Sequence, residues 1–132
     1  MKKAMLKIEG KQISYELSNL EKIGALSSSP SAHISNLISF QRVENPWTKE
    51  VLRGMRAPGT GIPYVIMLGT MRHKSGKDFC VVYKKRPVLI LEFSNEKFAR
   101  WVIPATSENL ALVKTKIGDK QPHNSNAGEG RN

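Results

Sequence analysis

Apolar and polar positions alternate at the start of the chain, Ala4, Leu6 and Ile8 against Met5, Lys7 and Glu9, a period of two that predicts a half-buried strand. After the turn Glu9-Gly10-Lys11-Gln12 the alternation resumes at Ile13, Tyr15 and Leu17, giving a first hairpin. Ser18-Asn19-Leu20-Glu21 has the S-x-x-E form in which a hydroxyl and a carboxylate satisfy the free amides of a helix start. Leu20, Ile23 and Leu26 then share one face, so the spacing predicts a short insert helix near 19–26, weakened by Gly24. A Ser/Pro loop over 27–31 leads to Ile34, Leu37, Ile38, Phe40 and Val43, a strand whose pattern slips phase as a bulge would make it.

From Asn45 to Pro63 the chain carries three prolines, three glycines and Trp47, and reads as one long connection with a helical turn near 49–52. Extended segments follow over 64–71, 78–83 and 88–93, with Ser75-Gly76-Lys77 and Lys84-Lys85-Arg86-Pro87 as their turns. A seventh strand over 98–103 ends at Pro104. Thr106 or Ser107 can cap a closing helix near 106–117, with Leu110, Val113 and Ile117 on one face and Lys114 and Lys116 near its C-terminus. The expected class is mainly β with α: seven antiparallel strands as a barrel or a pair of orthogonal sheets, covered by the C-terminal helix.

Composition narrows this picture. At 132 residues with 39% hydrophobic and 24% charged, the chain can bury a core without disulfides or metal, so one globular domain over 1–117 is expected. Residues 118–132 contain no large apolar side chain and read as a disordered tail. Cys80, alone and inside Phe79-Cys80-Val81-Val82-Tyr83, reads as a small apolar core residue. No secretory signal and no run of roughly 18–20 apolar residues is present, which predicts a cytoplasmic protein, with peripheral membrane attachment left open.

The net charge is +10, and half of it lies in fifteen residues: Arg72, Lys74, Lys77, Lys84, Lys85 and Arg86 face a single acid, Asp78. That concentration predicts an anionic partner, a protein or a lipid surface, with a solvated basic face as the plain alternative.

The segment Arg53-Gly54-Met55-Arg56-Ala57-Pro58-Gly59-Thr60-Gly61-Ile62-Pro63 is followed by Leu68-Gly69-Thr70, Gly76-Lys77-Asp78-Phe79 and Val88-Leu89-Ile90-Leu91. With Pro46-Trp47 ahead of it, this series resembles a family of bacterial proteins with a pleckstrin-homology-like (PH-like) domain, over residues 4–117. The resemblance implies a seven-stranded PH-like fold with a C-terminal helix. It implies no catalytic residues and no particular ligand, because domains of that superfold bind lipids, peptides, proteins or one another.

Chemistry is sparse. His33, His73, His123 and Cys80 lack metal-ligand spacing, so no metal or cofactor is expected, and no nucleophile elbow or catalytic constellation can be assembled. Gly54, Gly59, Thr60 and Gly61 lack the lysine of a phosphate loop and read as a tight turn needing positive φ at Gly59 or Gly61. Arg53 and Arg56 beside it can still hold a carboxylate or phosphate. The candidate anion-binding set is therefore Arg53, Arg56, Arg72, Lys74, Lys77, Lys84, Lys85 and Arg86. The expected function is a non-catalytic binding or scaffold module whose basic hairpin faces an anionic protein or membrane. Non-specific nucleic-acid binding through phosphates is the alternative, although no RNA-binding signature is present. Self-association along a strand edge is compatible with either.

Overall fold

A computed structural model describes residues 5–25 and 29–118. The expectations placed on Ala4, Leu26 and the tail from residue 119 onward lie outside the described residues. Within them the chain is β-rich with two α-helices. The elements are β1 (Met5–Glu9), β2 (Gln12–Glu16), α1 (Asn19–Ala25), β3 (Ser31–His33), β4 (Leu37–Val43), β5 (Met55–Ile62), β6 (Ile66–His73), β7 (Gly76–Tyr83), β8 (Val88–Phe93), β9 (Arg100–Pro104) and α2 (Ser107–Ile117).

The first hairpin forms as its alternation dictates, with Ile8 opposite Ile13 and Leu6 opposite Tyr15. β3 joins it to complete a three-stranded sheet, β1-β2-β3. The phase slip before Phe40 is a 3-10 turn over Ile34–Asn36 followed by a register shift between Leu37 and Ser39. Thr106 caps α2, its hydroxyl accepting from the Asn109 amide at 3.1 Å, and Val113 and Ile117 are buried beneath the helix.

Nine strands form among the described residues, not seven, and neither sheet closes into a barrel. The larger sheet is open, in the order β4-β8-β9-β7-β6-β5, with β4 and β5 at its edges. Nor is it wholly antiparallel: β9 lies between β8 and β7 and runs parallel to β7, pairing Asp78 with Arg100 and Cys80 with Val102. The turn Lys84–Pro87 therefore spans β9 and does not close a hairpin, a gap of two strand spacings, or about 10 Å. β5 is the second correction. Met55–Ile62, the last part of the segment read as loop, pairs with β6, and a register shift between Arg56 and Gly59 hides the period-two pattern that would have marked it. Gly59 does take positive φ, at 141°, but inside this bulged strand and not in a tight turn. A Cβ there would fall 2.0 Å from the Leu68 carbonyl oxygen, so only glycine fits.

The larger sheet is buried on both faces. Leu68, Phe79, Val81, Leu89, Leu91, Trp101 and Ile103 belong to the core shared with the small sheet and α2. Cys80, Val82, Val88, Ile90 and Val102 point the other way and are covered by Val51, Leu52 and Trp47 of the segment between β4 and β5. Strands buried on both faces read as continuous apolar runs, which is what Phe79–Tyr83 and Val88–Leu91 are.

Candidate docking surface

The covering segment between β4 and β5 is held by a buried carboxylate. Asp78, at the start of β7, is fully buried and accepts from Arg53 Nε at 2.9 Å and Nη2 at 2.8 Å, a bidentate pair. His73 Nε2 lies 3.0 Å from Asp78 Oδ1, and Arg100 Nε reaches Oδ2 at 3.3 Å. The Arg100 Nη2 group continues to the carbonyls of Glu50 and Val51, at 3.1 and 2.8 Å. Burial alone would push the Asp78 carboxyl up, but the hydrogen bonds from Arg53 and His73 and the charge of Arg100 outweigh it and hold it below the usual carboxylate range. The anion that Arg53 holds is thus part of the chain itself. This clamp ties the covering segment to three strands and leaves Arg53 and Asp78 engaged with each other.

The remaining basic residues do not converge. Residues 72–86 straddle β7, whose eight residues at about 3.3 Å each separate its ends by roughly 25 Å. Arg72, Lys74 and Lys77 sit at the β6–β7 turn, where Lys77 Nζ lies 5.6 Å from the Phe98 ring centre. Lys84, Lys85 and Arg86 sit at the opposite end. Arg56, on the edge strand β5, lies against Gly61: a Cβ on that glycine would come within 2.5 Å of the guanidinium.

The Lys84–Arg86 end carries what the sequence reading missed. The β5–β6 turn there presents Ile62, Tyr64 and Val65, which are 52%, 58% and 50% exposed. Trp47 braces the turn, its ring 5.6 Å from that of Tyr64 and its Nε1 donating to the Lys84 carbonyl at 2.6 Å. Lys85 Nζ stands 5.1 Å from the Tyr64 ring centre, a cation–π contact that keeps the charge beside the apolar tip. Three apolar side chains and three cations thereby occupy adjoining turns. The signal available was an apolar run, Ile62-Pro63-Tyr64-Val65, at a turn where polar residues are the norm.

α1 adds to this end. Its capping box forms as the S-x-x-E spacing predicts: the Ser18 amide donates to Glu21 Oε1 at 2.9 Å, and the Glu21 amide to Ser18 Oγ at 3.2 Å. The face is reversed, however. Leu20 and Ile23 are 65% and 70% exposed, while Glu21 and Ala25 are buried. Two contacts turn the helix: the Tyr83 hydroxyl donates to Glu21 Oε2, and Thr60 Oγ1 donates to the Gly24 carbonyl at 2.7 Å. Gly24 packs so close to Leu68 that a Cβ would lie 3.0 Å from its Cδ1. Burial, with the Glu21 carboxylate next to it, pushes the Tyr83 hydroxyl well above its ordinary value and keeps it a donor.

Between α1 and the start of β8 opens a cleft of about 790 Å³. Leu20 and Glu21 of α1, Ile66 and Leu68 of β6 and Tyr83 of β7 line one side, and Arg86–Val88 with Pro104–Ser107 line the other. Tyr15 of β2 also borders it.

His33 is exposed on β3, His73 is engaged by Asp78, and His123 lies outside the described residues. Among the described residues no group of three or more His, Cys, Asp or Glu side chains could hold a metal ion. Cys80 is fully buried, and burial pushes its thiol far above the ordinary cysteine value. No helix among the described residues is long and apolar enough to cross a membrane. No protein-family model, curated protein or solved structure matches the chain.

Proposed function

We propose that the protein is a non-catalytic module that docks peripherally on an anionic lipid surface through the Ile62–Val65 turn and the neighbouring Lys84–Arg86 turn. The observation that carries this reading is the placement of exposed Ile62, Tyr64 and Val65 beside Lys84, Lys85 and Arg86. Each half has a partner in a bilayer interface: aromatic and aliphatic side chains enter the headgroup region, and cations meet lipid phosphates, at about 1 kcal/mol per Lys or Arg near the surface. A phosphate backbone would use the cations but leave the apolar tip in water, which favours lipid over nucleic acid. Leu20 and Ile23, exposed on the helix that crosses β5 and β6, widen the apolar area.

The motif resemblance to PH-like domains is compatible with such a role, but the open sheet and its parallel β7–β9 pair depart from a simple seven-stranded antiparallel order. The docking argument therefore rests on the side chains and not on the fold. Co-sedimentation with phosphatidylcholine vesicles containing phosphatidylglycerol tests it. Binding is expected to rise with the anionic fraction, to weaken in high salt, and to fall about tenfold in Tyr64→Ser combined with Val65→Ser. Absence of vesicle binding, or a steeply salt-dependent affinity for duplex DNA that the Ser substitutions leave unchanged, would replace lipid with nucleic acid as the partner.

A further inference from the structure

We infer that the cleft between α1 and the start of β8 is a ligand site in its own right and takes a long-chain carboxylate, a fatty-acid-like anion. Its volume, about 790 Å³, falls within the roughly 300–1,000 Å³ of small-molecule sites. The lining decides the chemistry. Leu20, Ile66, Leu68, Pro87, Val88 and Pro104 supply apolar wall. Ser18, Glu21 and Tyr83 are already bonded to one another, and the Thr106 hydroxyl is engaged by the Asn109 amide.

A guest carrying polar groups into the cleft would lose water there and find Ser18, Glu21, Tyr83 and Thr106 already engaged, with the wall otherwise mostly apolar, which disfavours a peptide and favours an alkyl chain. Arg86 carries the one positive charge among the described lining residues. It is exposed at the rim, and no salt bridge joins its guanidinium to a described carboxylate. The inserted part must be apolar, and the part left at the mouth must be an anion. Glu21 sets the polarity of the guest: its carboxylate, within the wall, repels a carboxylate head that entered first, so the chain goes in and the head stays at Arg86.

Isothermal titration of the full-length protein with sodium octanoate, decanoate and dodecanoate below their micelle concentrations, with no vesicles present, tests this separately from membrane docking. Affinity is expected to tighten roughly fourfold per methylene, the equivalent of about 0.8 kcal/mol for each CH₂ buried. Dodecanoate should bind about tenfold more tightly than dodecyltrimethylammonium. Arg86→Gln should weaken dodecanoate about tenfold and leave dodecanol unchanged, whereas Leu20→Glu should weaken both. Leu20 and Arg86 are exposed, so both variants keep the fold, which a thermal melt verifies. Three results would overturn the assignment: no saturable binding of dodecanoate, affinity independent of chain length, or equal affinity for the anionic and cationic amphiphiles. Loss of vesicle docking in Tyr64→Ser/Val65→Ser with dodecanoate binding intact would show the two sites to be separate.

Discussion

Asp78 carries more of the structure than any other charged residue described. It is fully buried, and three cationic or ionisable partners surround it. Removing one partner of such a cluster strands the other charges, at about 3–5 kcal/mol. Asp78→Asn should therefore lower the urea midpoint severely, whereas Arg42→Ala, which breaks an exposed pair with Glu44, should cost no more than about 1 kcal/mol. The pH dependence has a fixed sign. The Asp78 carboxyl is held below its ordinary value in the folded protein, so on acidification the unfolded chain takes up this proton first. Its contribution is complete above the ordinary Asp value of about 3.9 and is lost as pH falls through that value toward the folded one. Denaturation profiles of wild type and Asp78→Asn should accordingly differ most near neutrality and converge in acid. The sequence displayed Asp78 as the lone acid of a basic stretch but gave no sign of its partner, because Arg53 lies 25 residues away and their pairing depends on how β5 and β7 sit in the sheet. Cys80 was readable from its apolar neighbours alone, and its thiol should resist modification until the protein unfolds.

Two glycines in and around the α1–β5 region separate strain from mere crowding. Gly59 combines positive φ with a backbone oxygen 2.0 Å from the Cβ position, and neither can relax without parting β5 from β6. Gly59→Ala should therefore cost at least about 2 kcal/mol, measured as a shift in melting temperature. A Cβ on Gly24 would meet only side-chain atoms, the end of Leu68 at 3.0 Å and Thr60 Oγ1 at an ordinary 3.6 Å, and alanine there gains about 1 kcal/mol of helix propensity. Gly24→Ala should be close to neutral. Which elements could be read in advance follows the same physics. β1, β2, β8 and α2 announce themselves through period-two, continuous apolar or capped helical patterns. β5 does not, because Pro58, Gly59 and Gly61 carry the signature of a turn while an edge strand with a bulge tolerates all three. In α1 the apolar spacing correctly marked a helix but not its orientation. Glu21 bonding to Tyr83 and the close approach of Gly24 to Leu68 override the preference of Leu20 and Ile23 for the interior.

Across the whole molecule, β7 separates two basic ends that the sequence joined into one stretch. Period and composition located the charge, but only the sheet order assigns Lys84, Lys85 and Arg86 to the end with the exposed Ile62, Tyr64 and Val65, and Arg72, Lys74 and Lys77 to the other. If charge alone drew the protein to an anionic surface, the two ends would be interchangeable. If the apolar tip and its cations act together, they are not. The comparison is direct: co-sedimentation with phosphatidylglycerol-containing vesicles for Lys84→Ala/Lys85→Ala/Arg86→Ala against Arg72→Ala/Lys74→Ala/Lys77→Ala, two variants that lose the same charge. At about 1 kcal/mol per cation in contact with the surface, the first should lose on the order of a hundredfold in vesicle affinity and the second less than fivefold. Equal losses in the two variants would contradict docking through the Ile62–Val65 end.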